Sequence, residues 1–376
     1  MVRVGLIGLG KMGLSHCALL RAHPEVELAG ICDSSGIALG VLTRYTGLRG
    51  FTDYREMLDQ CELDAVVIAT PSKSHAALVD DCLDRSLSVF CEKPFTLDAD
   101  DSERLAQRAS QLGVATHVGY HNRSVAAFAE VKRLLDAGAI GTVTQVLGEA
   151  YGPVVLRPKG GTWRSQRAEG GGCLYDYAAH VIDLLTWYLG PPQGVRGTVL
   201  TSVFSRDTDD QVTTNLIYPD DLTAQLSVNW SDESVRKMST SLTLRGTNGR
   251  IYVDRQECQV YLRTPVASLP GYRAGWNVHY TTELTPPVWF YLRGEEYSAE
   301  IDHFVASVGR RDLAPISDFA SSAVTDRVIG AIVSDARGEP PTSDAARPLD
   351  PPPTRRRSRP RGFGRIRPVS RKAAAR

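Results

Sequence analysis

The chain has 376 residues, 42% apolar and 23% charged, the balance of a soluble globular protein long enough for two domains with cores of their own, which excludes disorder along its whole length. Its formal charges cancel to zero, yet ten of the 43 basic residues fall in the acid-free stretch 351–376, so the body before it is acidic. Seven scattered cysteines without a C-x-x-C pair fit neither a disulfide framework nor a zinc site and point to reduced thiols in a cytoplasm, and no run approaches the roughly 18 apolar residues of a membrane span.

Up to about residue 120, strand-like runs alternate with helical stretches: "VRVGLIG", "VELAGIC", "DAVVIAT", "LSVFCE" and "VATHVGY". That rhythm predicts βαβ units and a parallel sheet, a Rossmann dinucleotide-binding domain over 1–120. The first run leads into "GLGKMG", where Gly8, Gly10 and Gly13 form G-x-G-x-x-G between a strand and a helix. Such a loop lets backbone amides at a helix N-terminus approach a pyrophosphate, with Lys11 and Met12 at the helix start. Asp33 ends the next strand twenty residues after Gly13, placed to accept bonds from ribose hydroxyls, and no arginine follows it in "DSSG". NAD is therefore expected, and NADP disfavoured.

Ligands of an open parallel sheet bind beyond the carboxyl ends of its strands. Three strands end suggestively, in "IATPSKSH", "VFCEKP" and "HVGYHNR". Thr70, Pro71, His75, Glu92 and Lys93 are thus candidate cofactor contacts. Pro94 lacks an amide hydrogen and holds Lys93 extended, so the lysine leaves the sheet at a fixed point.

After Gly141 the strands follow one another, alternating in "LTAQLSVNW" and "STSLTLRG" with turn signals between, which predicts an antiparallel sheet in a second domain over 121–338. Within it, "GGGCLYDYAAHVID" predicts a helix from about Leu174, with Asp176 and His180 at i and i+4, so that the carboxylate would orient the imidazole as a proton acceptor. A surface Asp–His pair remains an alternative. A metal held by Asp176, His180 and Asp183 is disfavoured, because helical geometry turns Asp183 away and no other ligand cluster presents itself. Two helices close the body, one marked by Ile301, Phe304, Val305 and Val308, the other by Val324, Val328, Ile329 and Ile332. The aromatic stretch Val288–Tyr297 reads as core or as a cap on the pocket. Residues 339–376 read as a flexible Pro/Arg-rich tail, whose single aromatic, Phe363, argues against a nucleic-acid partner.

Taken together, "GLGKMG", "ATPSKSH", "EKPFTLD" and "GGGCLYDYAAHVIDLLTWYLG" resemble, in the same order over roughly residues 2–335, the motifs of the glucose-fructose oxidoreductase, inositol dehydrogenase and MocA family. The resemblance implies an N-terminal Rossmann domain followed by a C-terminal α/β domain with a large, mostly antiparallel open sheet, often used for oligomer contacts, hence a dimer or tetramer. It implies hydride transfer between NAD and a secondary hydroxyl of a sugar, nucleotide sugar or cyclitol. Lys93, Asp176 and His180 match the family's catalytic residues. Tyr120, Asn122, Arg123, Trp163 and Arg164 resemble segments lining its sugar pocket, although each is equally explained by a structural role. Two other readings stay open: an NAD-dependent glycosidase working through transient redox, and a ligand-sensing regulator without catalysis.

Overall fold

The computed structural model describes residues 1–156, 163–287, 295–310 and 312–339. All of the expected tail but Glu339, and Val288–Gly294 of the aromatic stretch, lie outside these residues.

A six-stranded parallel sheet is built from β1 (Val2–Ile7), β2 (Val26–Cys32), β3 (Gly50–Phe51), β4 (Ala65–Ile68), β5 (Ser88–Cys91) and β6 (Thr116–Val118), in the order β3-β2-β1-β4-β5-β6. Every pairing in it is parallel. This is the doubly wound arrangement, and its switch point lies between β1 and β4. Both central strands and β5 are buried almost throughout, which is why they read as continuous apolar runs. The crossovers are α1 (Lys11–Ala22), α2 (Gly36–Thr46), α3 (Tyr54–Gln60), α4 (His75–Leu83) and α5 (Ala99–Leu112). The start of α5 is fixed by Asp98, whose carboxylate accepts from the amides of Asp100 and Asp101, and its end by Gly113 in the left-handed region.

Helix α6 (Ala126–Asp136) leads to the second, eight-stranded sheet. Its strands are β7 (Val143–Tyr151), β8 (Gly194–Thr201), β9 (Gln211–Ile217), β10 (Thr223–Asn229), β11 (Ser239–Gly246), β12 (Gly249–Asp254), β13 (Glu257–Leu262) and β14 (Gly275–Tyr280), ordered β14-β13-β12-β11-β7-β10-β9-β8. All neighbours are antiparallel except β7 and β10. Alternation in β10 buries Ala224, Leu226 and Val228 on the covered face. On the other face Tyr261, Trp276, Val278 and Tyr280 stay exposed. Helix α7 (Ala179–Leu189) packs on the covered face, its Val181 and Leu185 approaching β7 at Gly148.

After the short α8 (Thr281–Leu284), α9 (Glu295–Gly309) and α10 (Phe319–Ala336) return to the first sheet. Ile301, Phe304 and Val305 of α9 join the core formed by Val4, Leu6, Val67 and Phe90. Helix α10 lies against α5, α7 and β8, bridging the two sheets. The spacing of α9 was legible in the sequence; its partner strands, more than 200 residues earlier in the chain, were not.

Candidate active site

The glycine loop joins β1 to α1, at the switch point. Gly8 has φ +96°, and a Cβ there would meet the carbonyl oxygen of Ala69 at 2.6 Å; one on Gly13 would meet the carbonyl oxygen of Gly8 at 1.9 Å. A Cβ on Gly10 would meet no atom within 4 Å, so this residue faces open space at the N-cap of α1. Lys11 and Met12 begin that helix, whose first turn holds no acidic residue. Asp33 closes the cradle from β2, accepting from the amides of Leu9 (2.6 Å) and Ser35 (2.7 Å). Each carboxylate oxygen keeps a second lone pair for a ribose hydroxyl. A cradle that a Cβ would close at Gly8 and Gly13, a helix N-terminus without competing acid and a carboxylate at the next strand end fit a dinucleotide.

At the end of β5, Glu92 and Lys93 diverge. Glu92 accepts from His16 of α1 at 2.7 Å, and a Cβ on Gly119 would collide with its carboxylate at 2.8 Å, so the side chain is wedged between the cofactor helix and the end of β6. Burial pushes its carboxyl up, but the His16 bond and the neighbouring charges of His16 and Lys93 outweigh burial and hold it below the usual range. The Lys93–Pro94 peptide is cis. Beyond it, the Thr96 amide donates to Asp326 of α10 at 3.0 Å, tying the loop to the closing helix.

Thr70 and Pro71 follow β4 at the rim of the cleft, Thr70 accepting from the Ser74 hydroxyl at 2.8 Å. His75 is buried, with Nδ1 at 3.0 Å from the Pro94 carbonyl and Nε2 at 3.1 Å from the Thr70 carbonyl. Burial holds its imidazole below the usual range, and the neutral ring has one N–H, so it donates to one of these carbonyls, between the loop after Lys93 and the end of β4.

Lys93 crosses to the other sheet's helix layer. Its Nζ donates to Oδ1 of Asp176 at 2.7 Å and to the Asp176 carbonyl at 2.9 Å, while Nε of Arg164 donates to Oδ2 of the same carboxylate at 2.9 Å. Burial would raise the Asp176 carboxyl, but the two cations more than offset it and hold it at about 2. The expected Asp176–His180 hydrogen bond does not form: the carboxylate turns to Lys93 and Arg164, and Leu174–Ala178 is a π turn leading into α7, so the regular i,i+4 register assumed from the sequence does not apply. His180 is buried beside this network, its ring edge-on to Tyr120 (6.0 Å) and to His121 (4.8 Å), and its Nδ1 has no hydrogen-bond partner among the described residues. Burial, then Lys93 and Arg255, push its imidazole well below the usual histidine range, so it is neutral at physiological pH.

The expected sugar-pocket residues divide. The Tyr120 hydroxyl and both amide atoms of Asn122 are buried without partners among the described residues, in the same turn that packs on His180. Arg164 is 43% exposed and lies over the Trp163 ring at 4.8 Å, one end on Asp176 and the other reaching solvent. Arg123 is corrected: it is sealed in a bidentate pair with Asp183 (2.6 and 2.9 Å) and donates to the Ile316 carbonyl at 2.8 Å, which makes it a brace between α7 and the segment before α10. Asp183 is thus paired with Arg123, and no cluster of metal-ligating side chains occurs among the described residues.

The family model for the NAD-binding Rossmann fold of an oxidoreductase family matches residues 2–120, and that for the GFO/IDH/MocA C-terminal domain matches residues 128–252. The chain belongs to the Gfo/Idh/MocA oxidoreductase family. Within that family, the rhizopine catabolism protein MocA of Rhizobium meliloti is 29% identical over 50% of this chain and 57% of its own length, so this match spans little more than half of that relative. An inositol 2-dehydrogenase of Rhizobium meliloti is 25% identical over 88% of this chain and 97% of its own. A levoglucosan dehydrogenase solved with NADH and levoglucosan shares the fold at a TM-score of 0.78 and 23% identity, covering 90% of this chain and 98% of that one.

Sequence reading missed His16, Arg255 and Asp326. His16 could have been found, since it stands one turn beyond Gly13 on the cofactor helix. Arg255 and Asp326 reach the site from 134 and 230 residues away from the groups they bond, and no local pattern announces them.

Proposed function

We propose that the protein is an NAD-dependent dehydrogenase acting on a secondary hydroxyl of a cyclitol or sugar, with Lys93 and His180 at the reacting oxygen. The observation that carries this reading is the convergence, at the carboxyl end of β5, of a lysine clamped by Asp176 with a buried, neutral histidine. When bound, NAD supplies the hydride acceptor. Lys93 has three donor hydrogens and gives two to Asp176, which leaves one for the substrate oxygen, where it stabilises developing negative charge. His180, neutral and with Nδ1 unpartnered, takes the hydroxyl proton. Asp176 holds the lysine in place. Tyr120 and Asn122 offer donors and acceptors suited to a polyol, since each buried unpaired polar group costs on the order of 1–3 kcal/mol until satisfied. The names of the relatives, inositol 2-dehydrogenase and levoglucosan dehydrogenase, support this substrate class.

The test is NADH formation by the purified protein against a panel of inositols, sugars, anhydrosugars and nucleotide sugars, with product analysis in parallel. Turnover that cleaves a glycosidic bond without net NADH would replace the proposal by a glycosidase; tight NAD binding with no turnover on any member would favour a sensor. We further propose a homo-oligomer, in which a second copy covers the exposed face of β13 and β14 around Tyr261, Trp276, Val278 and Tyr280. Location in a reducing cytoplasm is supported by seven cysteines that are all free and buried, and among the described residues no helix is long and apolar enough to cross a membrane.

A further inference from the structure

With Asp176 taken by two cations, the groups that hold the His180 ring come from elsewhere. Its neighbour at 4.8 Å is His121, in the turn after β6, and His121 is in turn fixed on two sides. Tyr297 of α9 stacks on it at 4.8 Å with an interplanar angle of 24°, and Nη1 of Arg255 lies 3.1 Å from its Nε2. A guanidinium can only donate, so Nε2 of His121 must be the bare nitrogen and its proton must sit on Nδ1. Arg255 occupies the turn between β12 and β13, and its other arm donates to Glu296 of α9, a carboxylate only 2% exposed. One arginine from the second sheet thus ties α9 to the ring on which His180 rests.

We propose that Arg255 is a positioning residue for His180: it locks His121 in one tautomer and one plane, against which the His180 imidazole packs. This rests on the reading of His180 as the proton acceptor. The charged and titratable groups around His180 are Lys93 from the loop after β5, Asp176 from the π turn, Tyr120 and His121 from the turn after β6, and Arg255 backed by Glu296. One turn further along α7, Asp183 is neutralised by Arg123. Lys93, Arg164 and Arg255 face only two carboxylates, Asp176 and Glu296, so the charges around His180 leave a positive excess. Lys93 and Arg255 are also the two cations that follow burial among the causes lowering its imidazole. Neutralising Arg255 therefore makes His180 easier to protonate, whereas neutralising Glu296 leaves the Arg255 charge unopposed and makes it harder. A purely structural role for the Arg255–Glu296 pair would move both variants the same way.

The experiment is ring-nitrogen NMR on cofactor-free, 15N-labelled protein, with His121 and His180 assigned from their alanine variants. In the wild type at neutral pH, His121 should show a protonated Nδ1 and a bare Nε2. Arg255→Met should mix the two tautomers and move protonation of His180 upward by roughly 0.5–1 pH unit, Arg255→Lys should restore the second effect more than the first, and Glu296→Gln should not move it upward. Because Arg255→Met leaves Glu296 buried and alone, the doubly neutral Arg255→Met/Glu296→Gln variant provides a folded comparison that should keep the tautomer mixing. A protonated Nε2 on His121 in the wild type, or unchanged tautomer and titration in folded variants lacking Arg255, overturns the proposal. The acid limb of kcat/KM, measured on the same variants, separates the two ideas. A limb that follows the NMR shift supports both, whereas an NMR shift with a fixed limb leaves Arg255 positioning His180 but removes His180 as the base.

Discussion

Asp176→Asn takes one negative charge from between two cations while keeping the shape of the side chain, and it distinguishes the two roles that Asp176 could have. The carboxyl sits at about 2, against an unperturbed value near 3.9. Its folded value is depressed, so the associated stability, about 2.5 kcal/mol at most, is present above pH 4 and is lost as pH falls toward 2. The substitution should remove a similar amount at neutral pH, roughly 2–4 kcal/mol in urea unfolding, because Lys93 is 12% exposed and cannot turn to water as the 43% exposed Arg164 can. Kinetically, if Asp176 serves Lys93, then Asp176→Asn and Lys93→Met should each lower kcat by about a hundredfold. The double variant should be little worse than the weaker single one, since both remove the same interaction. The acid limb of the pH profile should persist in all three. A limb that vanishes in Asp176→Asn alone would show that the carboxylate orients His180 instead, as its spacing in the sequence suggested, and would refute the assignment drawn from the geometry.

Other consequences are open to simpler measurements. Asp33 lies at the strand end with no arginine beside it, so NAD should bind at least several-fold more tightly than NADP, and equal affinities in titration calorimetry would remove that argument. The mass in solution should exceed that of one chain, and Trp276→Glu should reduce it; an unchanged monomer mass in both proteins would free the outer sheet face from the role given to it. Asp326 is buried, and burial pushes its carboxyl up to about 7 despite the bonds it accepts from Ser102 and Thr96. Its folded value is raised, so its contribution to stability is greatest below pH 4 and declines as pH rises through 7, by on the order of 2–4 kcal/mol. Asp326→Asn should therefore flatten the pH dependence between pH 5 and 8, and a wild-type-minus-variant difference that is constant with pH would contradict it.

What the sequence disclosed follows the range of its signals. Gly8 is demanded by its left-handed backbone, Gly13 by a contact within the loop, and the buried strands are marked by the apolar runs they carry, so the cofactor half of the molecule was legible. The Asp176–His180 pair was misread because i,i+4 spacing presumes an α-helix, whereas the chain makes a π turn there. The role of His75 was not legible, because a histidine in a cleft-edge motif looks the same whether its nitrogens face a ligand or the Pro94 and Thr70 carbonyls. The two arginines show the limit most sharply. Arg123 and Arg164 both read as sugar contacts, and each is met by an aspartate from the segment that leads into or forms α7, seven residues apart. Asp183 meets Arg123 with both groups at most 2% exposed and makes it a brace, while Asp176 meets Arg164 where 43% of its side chain still reaches solvent. Which arginine can touch a substrate was thus decided by the depth at which α7 presents each carboxylate. That depth depends on the π turn and on the sheet beneath it, and neither is written in the residues next to the arginines.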